Sequence, residues 1–173
     1  SRTSPSCASS LKPRYAPELG VAAMQVIHDI DALANWVGRE VACSDWIAIE
    51  QDRIQQFADA TGDQQWIHLD PERARSESPY GGTIAHGFLV LSMLAKLSAS
   101  ADLQLQGAQM GMNYGFDKVR MTNPVRSGSR IRGRFVLKDI VERAPGQWLT
   151  TTAVAVEVEG QPKPAIVAEW LGL

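Results

Sequence analysis

The chain has only two cysteines, Cys7 and Cys43, and they lack the paired spacing of a disulfide framework or a zinc cluster. A reducing cytoplasm is the simplest compartment for such a protein. There is little excess of either charge. The net is -2 at pH 7, which leaves no basic footprint for nucleic acid. No apolar run approaches the roughly 20 residues that span a bilayer. No segment repeats another. What remains is 173 residues, 45% of them hydrophobic, enough for one globular domain with a sizeable core.

Residues 1–23 read differently from the rest. Ser1 to Pro17 is rich in Ser and Pro and lacks the apolar centre of a secretory signal. We expect an irregular N-terminal extension over 1–23 and a single domain over 24–173. Val26, Ile27, Ile30, Leu33 and Ala34 predict an amphipathic helix from Met24 to Trp36. His28 sits there beside two aspartates and reads as a surface residue. Val37 to Ile49 reads as a loop and a strand.

Ile54, Phe57, Ala58 and Thr61 recur at helical spacing, and Gly62 offers the left-handed residue that ends many helices. An acid, Asp63, and a base, His68, follow five residues apart on what reads as a tight connection. Two readings stand. Asp after Gly is ordinary turn chemistry, and a histidine before Leu-Asp-Pro can be structural. The same loop can instead aim both side chains at one water. Asp63, His68 and Asp70 include metal-ligand types, but no Cys or His pair with ligand spacing accompanies them.

Asp70-Pro71 is a good helix start, with Asp as N-cap and Pro in the first turn. Ser78-Pro-Tyr-Gly-Gly82 is a run of turn formers. His86 to Ser98 predicts a helix apolar almost all round, which must be buried on most sides. Alternation at Met110–Phe116, Ile131–Leu137 and Thr152–Val158, then an apolar run over 165–171, predicts long strands. Turns fall at Ser127-Gly128, Pro145-Gly146 and Gly160-Gln-Pro162. The expected class is α+β, an antiparallel sheet around a buried helix.

Gly62-Asp63, Ile67-His68, Ala74 six residues on, and Gly81-Gly-Thr-Ile-Ala-His-Gly-Phe88 together resemble the signature of the MaoC-like, (R)-specific enoyl-CoA hydratases. The similarity is greatest to the NodN-like branch. Gln65 and Trp66 stand where that family has Asn and Pro. The resemblance continues through Asn113-Tyr-Gly-Phe-Asp-Lys-Val-Arg120 and Pro124-Val-Arg-Ser-Gly128 and covers roughly Trp36 to the C-terminus.

The resemblance implies a hot-dog fold and a homodimer with the substrate tunnel at its interface. It implies hydration of trans-2-enoyl-CoA to (R)-3-hydroxyacyl-CoA with no cofactor. Asp63 and His68 would be catalytic. Gly87 would bring a backbone N–H to the thioester oxygen, and Gln65, His86 and Tyr114 would meet substrate. Gly87 read bottom-up keeps two meanings: a helix N-terminal donor open to an oxygen, or a glycine for tight packing. Lys118, Arg120, Arg126 and Arg130 are candidates for the CoA phosphates. Trp66 in place of Pro predicts that packing of its ring holds the Asp63–His68 loop. The competing readings are a thioesterase, an acyl-carrier-protein-linked dehydratase, and a non-catalytic thioester-binding or interaction protein of the same fold.

Overall fold

The computed structural model describes residues 30–101 and 110–173. The expected extension over 1–23, His28 and most of the 24–36 helix lie outside them. Of that helix, α1 (Ile30–Ala34) is described. Two short strands follow, β1 (Glu40–Cys43) and β2 (Ile47–Ile49), where the sequence suggested one.

Helix α2 (Gln51–Thr61) buries Ile54 and Ala58 and stops at Gly62, whose φ of 78° is the left-handed end expected there. A single turn, α3 (Trp66–Leu69), and α4 (Pro71–Glu77) come next. Asp70 caps α4 by accepting from Arg73 N at 3.0 Å. His68 therefore sits on a helical turn, not on open loop.

The expected apolar helix forms as two pieces, α5 (Gly87–Ser92) and α6 (Leu94–Ser100). Met93, with ψ of -12°, tightens the turn between them toward 3₁₀ geometry. Leu89, Val90, Met93, Leu94 and Leu97 are buried, but Phe88 is 70% exposed. Ser92, Ala95 and Lys96 are exposed too. These four recur at i, i+4, i+7 and i+8, so this helix keeps one open face, contrary to the expectation of burial nearly all round.

The sheet is antiparallel and carries β3 (Asn113–Met121), β4 (Ser129–Ala144), β5 (Gln147–Val158) and β6 (Ile166–Gly172). Its order is β1-β4-β5-β6-β3, with β2 also on β4. Pleating sends Ile131, Phe135, Leu137, Thr152, Val154, Val156 and Val158 to one buried face, and Ile131, Phe135 and the three valines share a core with α5 and α6. Gly133 lets the helix approach: a Cβ there would stand 2.8 Å from the Phe135 ring and 3.3 Å from Leu97. No helix among the described residues is long and apolar enough to cross a membrane.

Candidate active site

The site is built where the α2–α3 connection meets the N-terminus of α5. His68 is fixed on both of its ends. Its Nδ1 lies 2.7 Å from the Ile84 carbonyl. A carbonyl only accepts, so Nδ1 carries the hydrogen and Nε2 keeps the lone pair. Its backbone carbonyl accepts from Gln51 Nε2 at 2.7 Å, and Gln51 Oε1 accepts from the Thr83 hydroxyl at 2.6 Å. Ile84 N donates to Ile67 O at 3.1 Å. The turn bearing His68 is thus stitched to the segment leading into α5.

His86 precedes that helix and is 3% exposed. Its Nε2 donates to the Asp63 backbone carbonyl at 3.0 Å. Its ring stacks on His68 with centroids 3.8 Å apart and planes 28° apart. Phe57 of α2 packs on it at 5.1 Å. Because Nε2 holds the hydrogen, Nδ1 is an acceptor, and it is buried without a partner among the described residues.

Asp63, His68 and His86 each offer one ligand atom within 4.8 Å of the others. A water about 2.8 Å from each of two such atoms bridges that gap. A carboxylate with two carbonyl-anchored imidazoles is also a donor set that a metal can use. The Asp63 Oδ2 to His86 Nε2 distance is 4.0 Å, however. Tetrahedral donors bound at about 2.1 Å stand only about 3.4 Å apart, so the trio as it stands suits a bound water better.

Burial is the main reason the His68 imidazole titrates below its usual 6.5. Its bond to Ile84 opposes that, the neighbouring His86 reinforces it, and Asp63 opposes it. His68 is therefore neutral at pH 7, with a free lone pair on Nε2. Asp63, by contrast, has a side chain 45% open to solvent.

Two cavities meet at this point. One of about 300 Å³ is walled by Tyr80, Ile84, Val90, Met121, Val125 and Ile166. The other, about 240 Å³, is walled by Phe57, Thr61, Asp63, His86 and Phe88. His68 and Gly87 line both. Gly87 is the first residue of α5, so its N–H has no intrahelical acceptor. The space a side chain would take at Gly87 is filled by the Met121 thioether, with Met121 Cε 3.1 Å from where a Cβ would stand. Both meanings of this glycine, open donor and close packing, thus have a physical basis.

Of the residues singled out from sequence, Asp63, His68, His86 and Gly87 come together. Gln65 and Tyr114 line neither cavity. Gln65 is an exposed flank of α3. The Tyr114 hydroxyl accepts from Arg143 Nη1 at 3.1 Å. It lies seven residues before Met121 on β3, about 23 Å along an extended strand. Two of the four cations are engaged: Lys118 with Glu169 and Arg130 with Glu159. Arg120 donates to the Val119 carbonyl, and Arg126 to the Gly81 carbonyl beside Tyr80. The Gln51–Thr83 clasp and Met121 carried no local signal in sequence, because their partners lie 17 to 34 residues away.

Comparison with known proteins bears on this geometry. A family model described as MaoC like domain matches residues 32–159. The chain is 47% identical to Nodulation protein N of Rhizobium meliloti over 149 residues, covering 85% of this chain and 92% of that one. It is 44% identical to 3-hydroxyacyl-thioester dehydratase Z of Mycobacterium tuberculosis over 146 residues, covering 84% and 95%. Among solved structures it is similar to the (R)-hydratase from A. caviae involved in PHA biosynthesis. That match has a TM-score of 0.64 and 20% identity, covering 79% of this chain and 94% of that one. At that identity the likeness speaks to architecture, and the architecture is the hot-dog fold.

Proposed function

The chain belongs to the MaoC-like dehydratase family, in its NodN-like branch, and from that premise we propose that it reversibly hydrates trans-2-enoyl-CoA thioesters to (R)-3-hydroxyacyl-CoA. One observation carries the reading. A carboxylate and a neutral imidazole with a free Nε2 stand within reach of one water, beside a helix-initiating glycine N–H that two cavities share.

The chemistry follows from that arrangement. A water between Asp63 and His68 donates one hydrogen to each. As its oxygen bonds to the β-carbon, His68 Nε2 takes one proton and becomes imidazolium. The π electrons of the double bond move toward the thioester carbonyl, and the Gly87 N–H stabilises the oxygen on which charge develops. The imidazolium then returns its proton to the α-carbon, so one water is added and His68 is neutral again. Asp63 holds the second hydrogen and stabilises the imidazolium through its negative charge. Both new bonds form on the face turned toward the pair. Dehydration is the same path reversed.

The 300 Å³ cavity, walled by Ile84, Val90, Met121, Val125 and Ile166, suits the acyl chain, and the 240 Å³ one, which carries Asp63, faces the reacting atoms. The test is loss of the conjugated enoyl-thioester absorbance with crotonyl-CoA, longer enoyl-CoAs and the same acyl groups on acyl-carrier protein. Asp63→Asn and His68→Ala should each lower turnover by about 10²-fold or more while the circular dichroism spectrum is kept. Near-normal turnover at saturating substrate in either variant removes the pair from the mechanism. An inactive wild type on every thioester favours a non-catalytic binding protein.

A further inference from the structure

We infer that His86 is a positioning residue, which holds Asp63 and His68 in a fixed relation without touching the reacting atoms. The inference rests on the reaction proposed above. Three contacts carry it. His86 Nε2–H holds the Asp63 backbone carbonyl at 3.0 Å. The His86 ring lies on the His68 ring at 3.8 Å. Phe57, from the helix that leads into Asp63, packs on the same ring at 5.1 Å.

Without His86, each partner is anchored to a different part of the chain. His68 is held by Ile84 and Gln51. Asp63 has no comparable tie. Its amide meets the Thr61 hydroxyl only at 3.5 Å, and its side chain is half open to solvent. His86 is the one contact that spans both among the described residues. A rigid ring pinned between them converts two separately anchored groups into a pair.

The tautomer follows from the same bonds. Giving its hydrogen to Asp63 O fixes His86 as the Nε2–H tautomer. Its Nδ1 is then a buried acceptor with no partner among the described residues, a destabilising feature at a site where an apolar ring would pack without that cost. That is the pattern of a residue retained for geometry.

Two substitutions separate the roles. His86→Phe keeps an aromatic ring on His68 and removes both the donor and the orphan nitrogen. His86→Gln keeps an Nε2 donor at the same reach and removes the ring. With crotonyl-CoA, His86→Phe should lower kcat by about 10²-fold with KM changed less than about threefold, and its thermal midpoint should not fall. His86→Gln should recover about a tenth or more of wild-type kcat. Amide exchange at Gly62 to Gln64 should speed up in His86→Phe and less in His86→Gln. Wild-type kcat in a folded His86→Phe overturns the inference, and so does a loss seen wholly in KM, which is the mark of a substrate contact. If His86→Phe does not fold, His86→Gln decides: a folded variant with kcat well below a tenth of wild type overturns the donor role. If the wild type is inactive on every enoyl thioester, the proposed reaction fails instead. The exchange rates then decide alone: an unchanged Gly62–Gln64 rate in His86→Phe defeats the positioning role.

Discussion

Replacing Gln51 with Leu tests whether the turn carrying His68 is held as the hydrogen bonds require. Gln51 spends both ends of its amide: Nε2 donates to the His68 carbonyl at 2.7 Å, and Oε1 accepts from the Thr83 hydroxyl at 2.6 Å. Leu is close in volume and can make neither bond. Thr83 is 5% exposed, so its hydroxyl has no ready substitute in solvent. Each of the two bonds is worth about 1 kcal/mol net, and stranding a buried hydroxyl adds about 1–3 kcal/mol, so the expected loss is about 3–5 kcal/mol. For a chain of this size that lowers the thermal midpoint by about 6–20 °C. The assay is thermal unfolding followed by circular dichroism, with turnover measured well below the transition. Turnover should fall as well, because the His68 carbonyl is released from α2. A folded Gln51→Leu protein with a midpoint within about 2 °C of wild type refutes the clasp.

Five further outcomes follow from the same geometry. On the acid side, kcat/KM should fall to half at a pH below 6.5, because burial lowers the His68 pKa and only neutral His68 accepts a proton; a midpoint above 6.5 contradicts the environment described. The sign for stability is the same: the His68 contribution is complete above about pH 6.5 and is lost as pH falls toward the lowered folded value, which urea titrations across that range would read. Gly87→Val should reduce turnover by about 10²-fold yet leave the protein folded, since the atoms it displaces belong to the flexible Met121 side chain, itself 47% exposed; unfolding at room temperature would make Gly87 a packing glycine only. The protein should be a dimer by light scattering at micromolar concentration, because among the described residues the edge strand β3 and the open face at Phe88 leave unpaired backbone and apolar surface beside the site; a monomeric mass would defeat this. Trp66→Ala should change turnover less than about tenfold, and a loss of about 10²-fold would restore the ring as the loop's anchor.

Periodicity was informative wherever burial is one-sided. Alternation over 131–137 and 152–158 located the long strands, since a pleated strand must send every second residue inward. Gly62 marked the end of α2, because a left-handed residue there is cheap only for glycine. The open stripe of α5 and α6 was hidden by its own composition. Phe88 and Ala95 look like core residues, and only their exposure in the fold shows that nothing among the described residues covers them. The pairing of β1 and β2 with β4 was hidden too, because such short strands carry too few residues to display a period.

The site divides along a similar line. Asp63, His68, His86 and Gly87 were legible because they fall in two compact motifs. What holds them was not, and Trp66 shows why. A large ring in the place of a proline suggested that packing had replaced backbone rigidity. The ring is instead half-buried beneath Arg73, whose guanidinium carbon lies 4.3 Å from its centroid. A pair exposed to that degree contributes about 0.5–1 kcal/mol, too little to fix a catalytic loop. The rigidity comes from four bonds that close on distant backbone: Nδ1 of His68 to Ile84, Ile84 N to Ile67, Gln51 to His68, and His86 to Asp63. All four end on main-chain carbonyls, which every residue carries, and all of them connect positions 16 to 23 residues apart. Proline fixes a loop through its own φ, which a sequence displays. A loop stitched to its neighbours needs no special residue at the departure, so replacing Asn-Pro by Gln65-Trp66 can leave the geometry of Asp63 and His68 intact.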